Sequence, residues 1–177
     1  ANDSRTVVQA NTGNEYLRLE HTGTDNISDV SLNLKKGEVS GFSGLLGSGR
    51  SEIARLMFGA DKMNAGKVFV DGKEVSIKNP LDAIRRDIAF CSENRKKEGI
   101  IGDLTIRENI IIALQAKRGL QKAIRYSEAQ KVADHFIKEL GIKTPSGDQK
   151  IKNLSGGNQQ KVLLARWLAT DPKLLIL

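Results

Sequence analysis

The chain contains one cysteine, Cys91, which excludes an internal disulfide framework and suits a reducing compartment. With no second cysteine there is no zinc-ligand spacing either, and no long heptad runs through the sequence. Aromatic residues are only 5% of the 177 positions. None interleaves with the densest basic patch, Arg95-Lys96-Lys97, as a groove for single-stranded nucleic acid requires. Long apolar runs are missing as well. Ile110–Leu114 and Leu174–Leu177 fall far short of the roughly 20 residues needed to cross a bilayer. The polar N-terminus has no apolar core of a secretory signal.

What remains is a composition of 39% hydrophobic and 28% charged residues, enough for one soluble globular domain with its own core. A net charge of +7 favours a nucleic-acid partner at first sight. The basic residues are spread along the chain, however, so they read as solvated surface, aided by attraction to phosphate or to a membrane surface. No nucleic-acid partner is expected.

Residues 1–13 are polar and aperiodic, a linker or frayed end. Alternation predicts strands at Tyr16–Glu20 and Ile27–Leu34, then a turn at Lys36-Gly37-Glu38 and a short strand Val39–Phe42. A helix follows over about Ser51–Phe58, with Gly59 at its C-cap. Lys67–Val70 and Lys73–Ile77, joined by Asp71-Gly72, carry a hairpin signal. Asn79-Pro80 opens a short helix to Arg86, and Ile88–Cys91 reads as a buried strand before a charged loop, Ser92–Asp103. Thr105 caps a helix reaching about Leu114. Ser127 with Gln130 forms a capping-box pattern for a helix ending near Leu140 and closed by Gly141. Ser155 opens the last helix, and Lys173–Leu177 reads as a buried strand. Trp167 is placed in the core, Cys91 in packing, and His135 at a structural or exposed position. The fold class is α/β, with an antiparallel part near the front and a helical insertion.

Two Gly-Ser clusters stand where helices begin, and a helix start presents unpaired N–H groups to an anion. The first, Gly44-Leu45-Leu46-Gly47-Ser48-Gly49-Arg50-Ser51, follows the phosphate-loop pattern with Arg50 in place of lysine. Glycines at 44, 47 and 49 remove bulk and permit positive φ, so consecutive N–H groups, that of Ser48 among them, can curl around a phosphate. Ser51 supplies the hydroxyl that binds Mg²⁺. Arg50 keeps the charge but is long and planar, unlike a compact ammonium. Glu52 in the same helix turn opposes a bound phosphate, by roughly 1–4 kcal/mol at about 4 Å.

The second cluster is Leu154-Ser155-Gly156-Gly157-Asn158-Gln159-Gln160-Lys161, followed by Leu164-Ala165-Arg166 and Asp171-Pro172. On these residues the chain resembles an ATP-binding cassette (ABC) domain of P-loop NTPase type. In Arg50-Ser51-Glu52, in Glu93-Asn94-Arg95-Lys96-Lys97-Glu98-Gly99 and in Asn158-Gln159-Gln160 it is most similar to the second of two tandem cassettes in bacterial monosaccharide importers. The resemblance covers about Tyr16 to Leu177. It implies one nucleotide-binding domain over residues 14–177, with a helical subdomain at about 95–157. It implies that residues 44–51 hold the phosphates of ATP and Mg²⁺, and that Glu93 stands where most cassettes sense the γ-phosphate with glutamine. It implies that Ser155, Gly156, Gly157 and Gln159, with the Leu154 and Asn158 of the same motif, close over ATP held by a partner cassette. It also implies transmembrane permease subunits, an indirect link to a sugar-binding protein, and a peripheral place on the cytoplasmic face of the bacterial inner membrane. An aromatic that stacks on adenine is usual between the first two strands; His21–Asn26 has none, and His21 either substitutes or is a surface histidine.

Leu174–Leu177 resembles the strand that ends in the Walker B aspartate. The resemblance places that aspartate, the catalytic glutamate and the switch histidine after Leu177, so the fold is expected to be incomplete at its C-terminus and the chain alone to hydrolyse little ATP. Three functions remain open: the energising ATPase subunit of a sugar importer, a degenerate cassette that mainly donates its second motif to a partner, and a soluble cassette ATPase acting on nucleic acid, which only the charge supports.

Overall fold

The computed structural model describes residues 14–45, 47–92, 99–119 and 121–177. It divides into two compact units, with the boundary between Asn79 and Pro80. The linker expected at 1–13 and residues 93–98 of the charged loop, Glu93 among them, lie outside the described residues.

The first unit is built on β1 (Glu15–Gly23), β2 (Val30–Lys35), β3 (Ala65–Val70) and β4 (Lys73–Val75), all antiparallel in the order β2-β1-β3-β4. Leu17 and Leu19 alternate inward on β1 and pair with Val70 and Val68 of β3, which places their buried side chains on one face. The β3–β4 hairpin closes through Asp71 (φ 48°) and Gly72 (φ 75°), two consecutive positive-φ residues that match the right-handed strand twist. Between β2 and β3 runs α1 (Arg50–Phe58), ending at Gly59 in the left-handed conformation, as the sequence predicts.

The strand predicted at Val39–Phe42 is absent. Val39 is 99% exposed, and no described residue pairs with this segment. A strand requires a ladder partner for its N–H and C=O groups, and alternation alone does not supply one. The turn before it is fixed instead by Glu38, whose carboxylate accepts from Lys35 N (2.9 Å) and Ser40 Oγ (2.9 Å). These bonds hold the Glu38 pKa below the usual value.

The second unit contains α2 (Pro80–Ile84), β5 (Ile88–Phe90), α3 (Ile106–Arg118), α4 (Tyr126–Glu139), a short 3-10 turn (Ile151–Asn153), α5 (Gly156–Leu168) and β6 (Leu174–Ile176). β5 and β6 pair in parallel, Ile88 opposite Leu174 and Phe90 opposite Ile176, so the last run is a strand as expected. Its core gathers Ile106 and Ile110 of α3, Ala133 of α4, Ile142, Ile151, Leu154, and Val162 and Ala165 of α5. Trp167 is half-buried rather than core, and His135 is exposed, meeting Phe136 edge-on at 4.9 Å.

The helix starts differ from one another. Thr105 forms a full capping box with Glu108: Glu108 N donates to Thr105 Oγ1 (3.1 Å) and Thr105 N to Glu108 Oε2 (2.7 Å). The box predicted at Ser127/Gln130 does not form. Here α4 starts two residues earlier, with Arg125 at the N-cap and no side-chain cap. Gln130 is drawn into other bonds, accepting from Arg107 Nη1 (2.9 Å) and donating to Asp134 (2.8 Å). Arg107 stacks on the Tyr126 ring at 4.2 Å and pairs with Asp148, which fixes Tyr126 at the start of the helix.

Candidate functional site

The first unit carries the glycine-rich loop. Residues 38–45 have no regular structure and lead to α1. A Cβ on Gly44 would lie 2.4 Å from Ser48 Oγ, so the loop folds back on itself too closely for any other residue. Gly47 (φ 82°) and Gly49 (φ 86°) are left-handed, and Gly49 is the N-cap of α1. With glycine there, no side chain caps the helix, and Ile53 N to Gly49 O (2.9 Å) is its first intrahelical bond. The first turn of a helix carries N–H groups without an intrahelical acceptor and the positive end of the helix dipole, and among the described residues no side chain caps them here. Arg50 and Ser51 are exposed, and Glu52 is half-buried in that first turn. A glycine-rich loop with left-handed residues leading into a helix without a side-chain cap has the chemistry that suits an anionic phosphate.

The β1–β2 turn approaches the same loop. Ile27 Cγ2 lies 3.1 Å from the position a Cβ on Gly49 would take. Ile27 carries no motif and sequence reasoning passes over it; its signal is a lone apolar residue inside a polar turn. His21 is exposed and its Nδ1 is 2.6 Å from Asp29 Oδ1, so it is a paired surface histidine in this structure.

In the second unit, Leu154 is buried in the helical core and Ser155 is the N-cap of α5. The Ser155 side chain makes no cap bond to the helix; its Oγ accepts from Asn158 Nδ2 at 3.1 Å. Among the described residues nothing lies within 4 Å of where a Cβ on Gly157 would stand, and its φ is negative. No packing among the described residues requires glycine there. Its bareness leaves room for a close approach from outside. Gln159 turns back, donating to Ile151 O (3.3 Å) and Leu154 O (3.1 Å), which ties the preceding turn to α5.

In the last turn of α5, at the far end from this helix start, lies a buried charged group, Arg166. The Arg166 guanidinium donates to Asn109 O (2.7 Å), Asn109 Oδ1 (2.8 Å) and Gly99 O (2.6 Å), all neutral acceptors. Burial pushes its pKa down to about 10. Burial also raises the Cys91 thiol, against the opposing charge of Arg166. Cys91 is thus a packed, protonated thiol, as the sequence suggests. Among the described residues no group of three or more His, Cys, Asp or Glu side chains could hold a metal ion.

Comparison with known proteins then decides the family. The family model described as "ABC transporter" matches residues 27–177. The chain belongs to the ABC transporter family. It is 55% identical over 151 residues to the fructose import ATP-binding protein FruK of Bifidobacterium longum, covering 85% of this chain and 29% of that protein. It is 49% identical to the galactofuranose transporter ATP-binding protein YtfR of Escherichia coli K12, covering 85% of this chain and 30% of the relative. To the ribose import ATP-binding protein RbsA of Bacillus licheniformis it is 41% identical, covering 96% and 34%. The chain therefore spans about a third of the length of these relatives. Among solved structures, a dimeric ATP-binding cassette in a post-hydrolysis state bound to ADP and Pi superposes with a TM-score of 0.75 at 27% identity, over 90% of this chain and 72% of that one. The α/β ABC fold read from the sequence is thereby shown.

Proposed function

We propose that this ABC chain is the second cassette of the ATP-binding protein of a bacterial monosaccharide importer, binding Mg-ATP at residues 44–51 and completing a partner cassette's site with the start of α5. The observation that carries the reading is the pair of glycine-bearing helix starts, at Gly49 and Ser155, whose N-cap residues make no side-chain cap bond. The import functions named for the relatives support the sugar-uptake assignment. Arg50-Ser51-Glu52, the 93–99 stretch and Asn158-Gln159-Gln160 support the second-cassette position.

Bound Mg-ATP would supply the phosphoryl group whose transfer to water drives transport. The backbone of Gly44, Gly47, Ser48 and Gly49 would hold its phosphates, Arg50 would add charge, and the Ser51 hydroxyl would hold Mg²⁺. Ser155, Gly156 and Gly157 would face the γ-phosphate of a nucleotide on the partner cassette, while Gln159 braces the turn behind them and Glu93 stands at the γ-phosphate sensing position. Transmembrane permease subunits, and through them a sugar-binding protein, would be the partners, at the cytoplasmic face of the inner membrane. Among the described residues no helix is long and apolar enough to cross a membrane.

Calorimetric titration with Mg-ATP, with Ser51→Ala beside it, tests the reading. Saturable binding that the substitution abolishes is expected. A second reading, a degenerate cassette that chiefly donates its α5 start, is favoured by one observation: Glu52 sits in the uncapped first turn where phosphate would bind. Absence of binding in the full-length protein with its partner cassette present would select that second reading.

A further inference from the structure

The amide of Asn158 joins two elements. Its Oδ1 is 3.0 Å from Lys143 N, and its Nδ2 is 3.1 Å from Ser155 Oγ. A backbone N–H can only donate, so the atom facing Lys143 has to be the amide oxygen, and the atom facing Ser155 the NH₂ group. An NH₂ group donates and does not accept, so Ser155 Oγ is the acceptor in this bond. Its own proton stays available. Among the described residues the hydroxyl donates it to none, and it caps nothing in α5.

The loop that orients the amide is itself anchored. Lys161 Nζ, on α5, donates to Gly141 O at 3.0 Å, and Ile142 is buried in the helical core. The Lys143 N–H is therefore presented from a fixed segment rather than from a free loop. An Asn158 amide held at both ends cannot rotate to offer its oxygen to Ser155 without losing the Lys143 bond. The exposed Ser155 hydroxyl thus keeps its proton directed away from the Asn158 amide and free to donate to an incoming acceptor such as a phosphate oxygen.

We propose that Asn158 is a positioning residue that makes Ser155 a hydrogen-bond donor to the nucleotide phosphate. This rests on the reading of the α5 start as the part given to a partner's ATP. It adds that the polarity of the serine is set by the Lys143–Asn158–Ser155 chain.

The experiment is a double-mutant cycle on ATP turnover by the full-length protein assembled with its membrane subunits. Ser155→Ala and Asn158→Ala are each expected to lower turnover about tenfold, and the double variant to lose no more than Ser155→Ala alone. Asn158→Gln, which keeps an NH₂ group, is expected to retain turnover, whereas Asn158→Met, of similar length without the amide, is not. This pair gives the answer if Asn158→Ala lowers the melting temperature. Losses that multiply in the double variant, or equal turnover for the glutamine and methionine variants, would overturn the proposal while leaving the α5 reading intact. Unchanged turnover in Ser155→Ala would remove the α5 reading, and the role of Asn158 with it.

Discussion

Single residues set the character of the two glycine-bearing helix starts. Gly44 is fixed by crowding against Ser48 and Gly49 by its left-handed backbone under Ile27, whereas at Gly157 no described residue lies within 4 Å of where a Cβ would stand. Glycine is kept at the first two positions by the loop's own geometry, and no such constraint acts on Gly157 among the described residues. Glu52 works the other way. A carboxylate in the first turn of α1 favours the helix dipole when no anion is bound and repels one that is. Replacing it with threonine removes a repulsion of at least about 1 kcal/mol at close range, so Glu52→Thr should tighten Mg-ATP binding about fivefold to tenfold by calorimetry. Unchanged affinity would show that Glu52 lies outside the field of the phosphates. Glycine spacing, serine hydroxyls and the Glu52 charge are all legible in sequence, because each acts within its own turn. Ile27 is not, because its role comes from a contact with Gly49 more than twenty positions away in the chain.

Elements differ in how much of them is locally encoded. The β3–β4 hairpin and the start of α3 are written in four-residue patterns, Asp71-Gly72 with its flanks and Thr105 to Glu108, and both form as read. Glu108 accepts from Thr105 N–H and Thr105 Oγ, which holds its carboxyl below the ordinary value of 4.5. A carboxylate depressed in the folded state contributes its stability above the unfolded pKa and loses it as pH falls through the folded one. Thermal melts should therefore show Glu108→Gln destabilised relative to the parent at pH 7, with the gap closing below about pH 4. Thr105→Ala, which removes the same box from the other side, should cost about 0.5–2 kcal/mol at pH 7. The start of α4 has an equally good local pattern in Ser127 and Gln130, yet Arg107 takes Gln130 for its own hydrogen bonds. A buried guanidinium gains more from partners than a solvent-facing helix end gains from a cap. Ser155 shows a third outcome: it occupies the N-cap position predicted for it, while its hydroxyl is engaged by Asn158 instead of the helix.

At the scale of the molecule, the charge of +7 is distributed along the sequence of both units, and many of the cations among the described residues are paired. Arg55 with Asp61, Lys67 with Glu74, Lys117 with Asp87, Arg118 with Glu128 and Lys152 with Asp103 are examples. A DNA mobility shift at about 0.15 M salt should accordingly show no saturable complex, since dispersed phosphate contacts weaken steeply with ionic strength. A salt-resistant shift would revive the nucleic-acid reading. The sequence by itself determined the two glycine-rich helix starts, the hairpin turn, the α3 cap, the apolar faces and the family to which the chain belongs. Each depends on backbone conformation and hydrogen bonds within about four residues, so a local word carries it. Only the tertiary structure decided that Val39–Phe42 has no strand partner among the described residues, that α4 starts at Tyr126, and that Ile27 lies over Gly49. The same holds for Arg166, which binds Asn109 and Gly99, and for Asn158, which holds the hydroxyl of Ser155 from Lys143. In each of these a group's free energy depends on a partner distant in sequence, and that partner is supplied by packing.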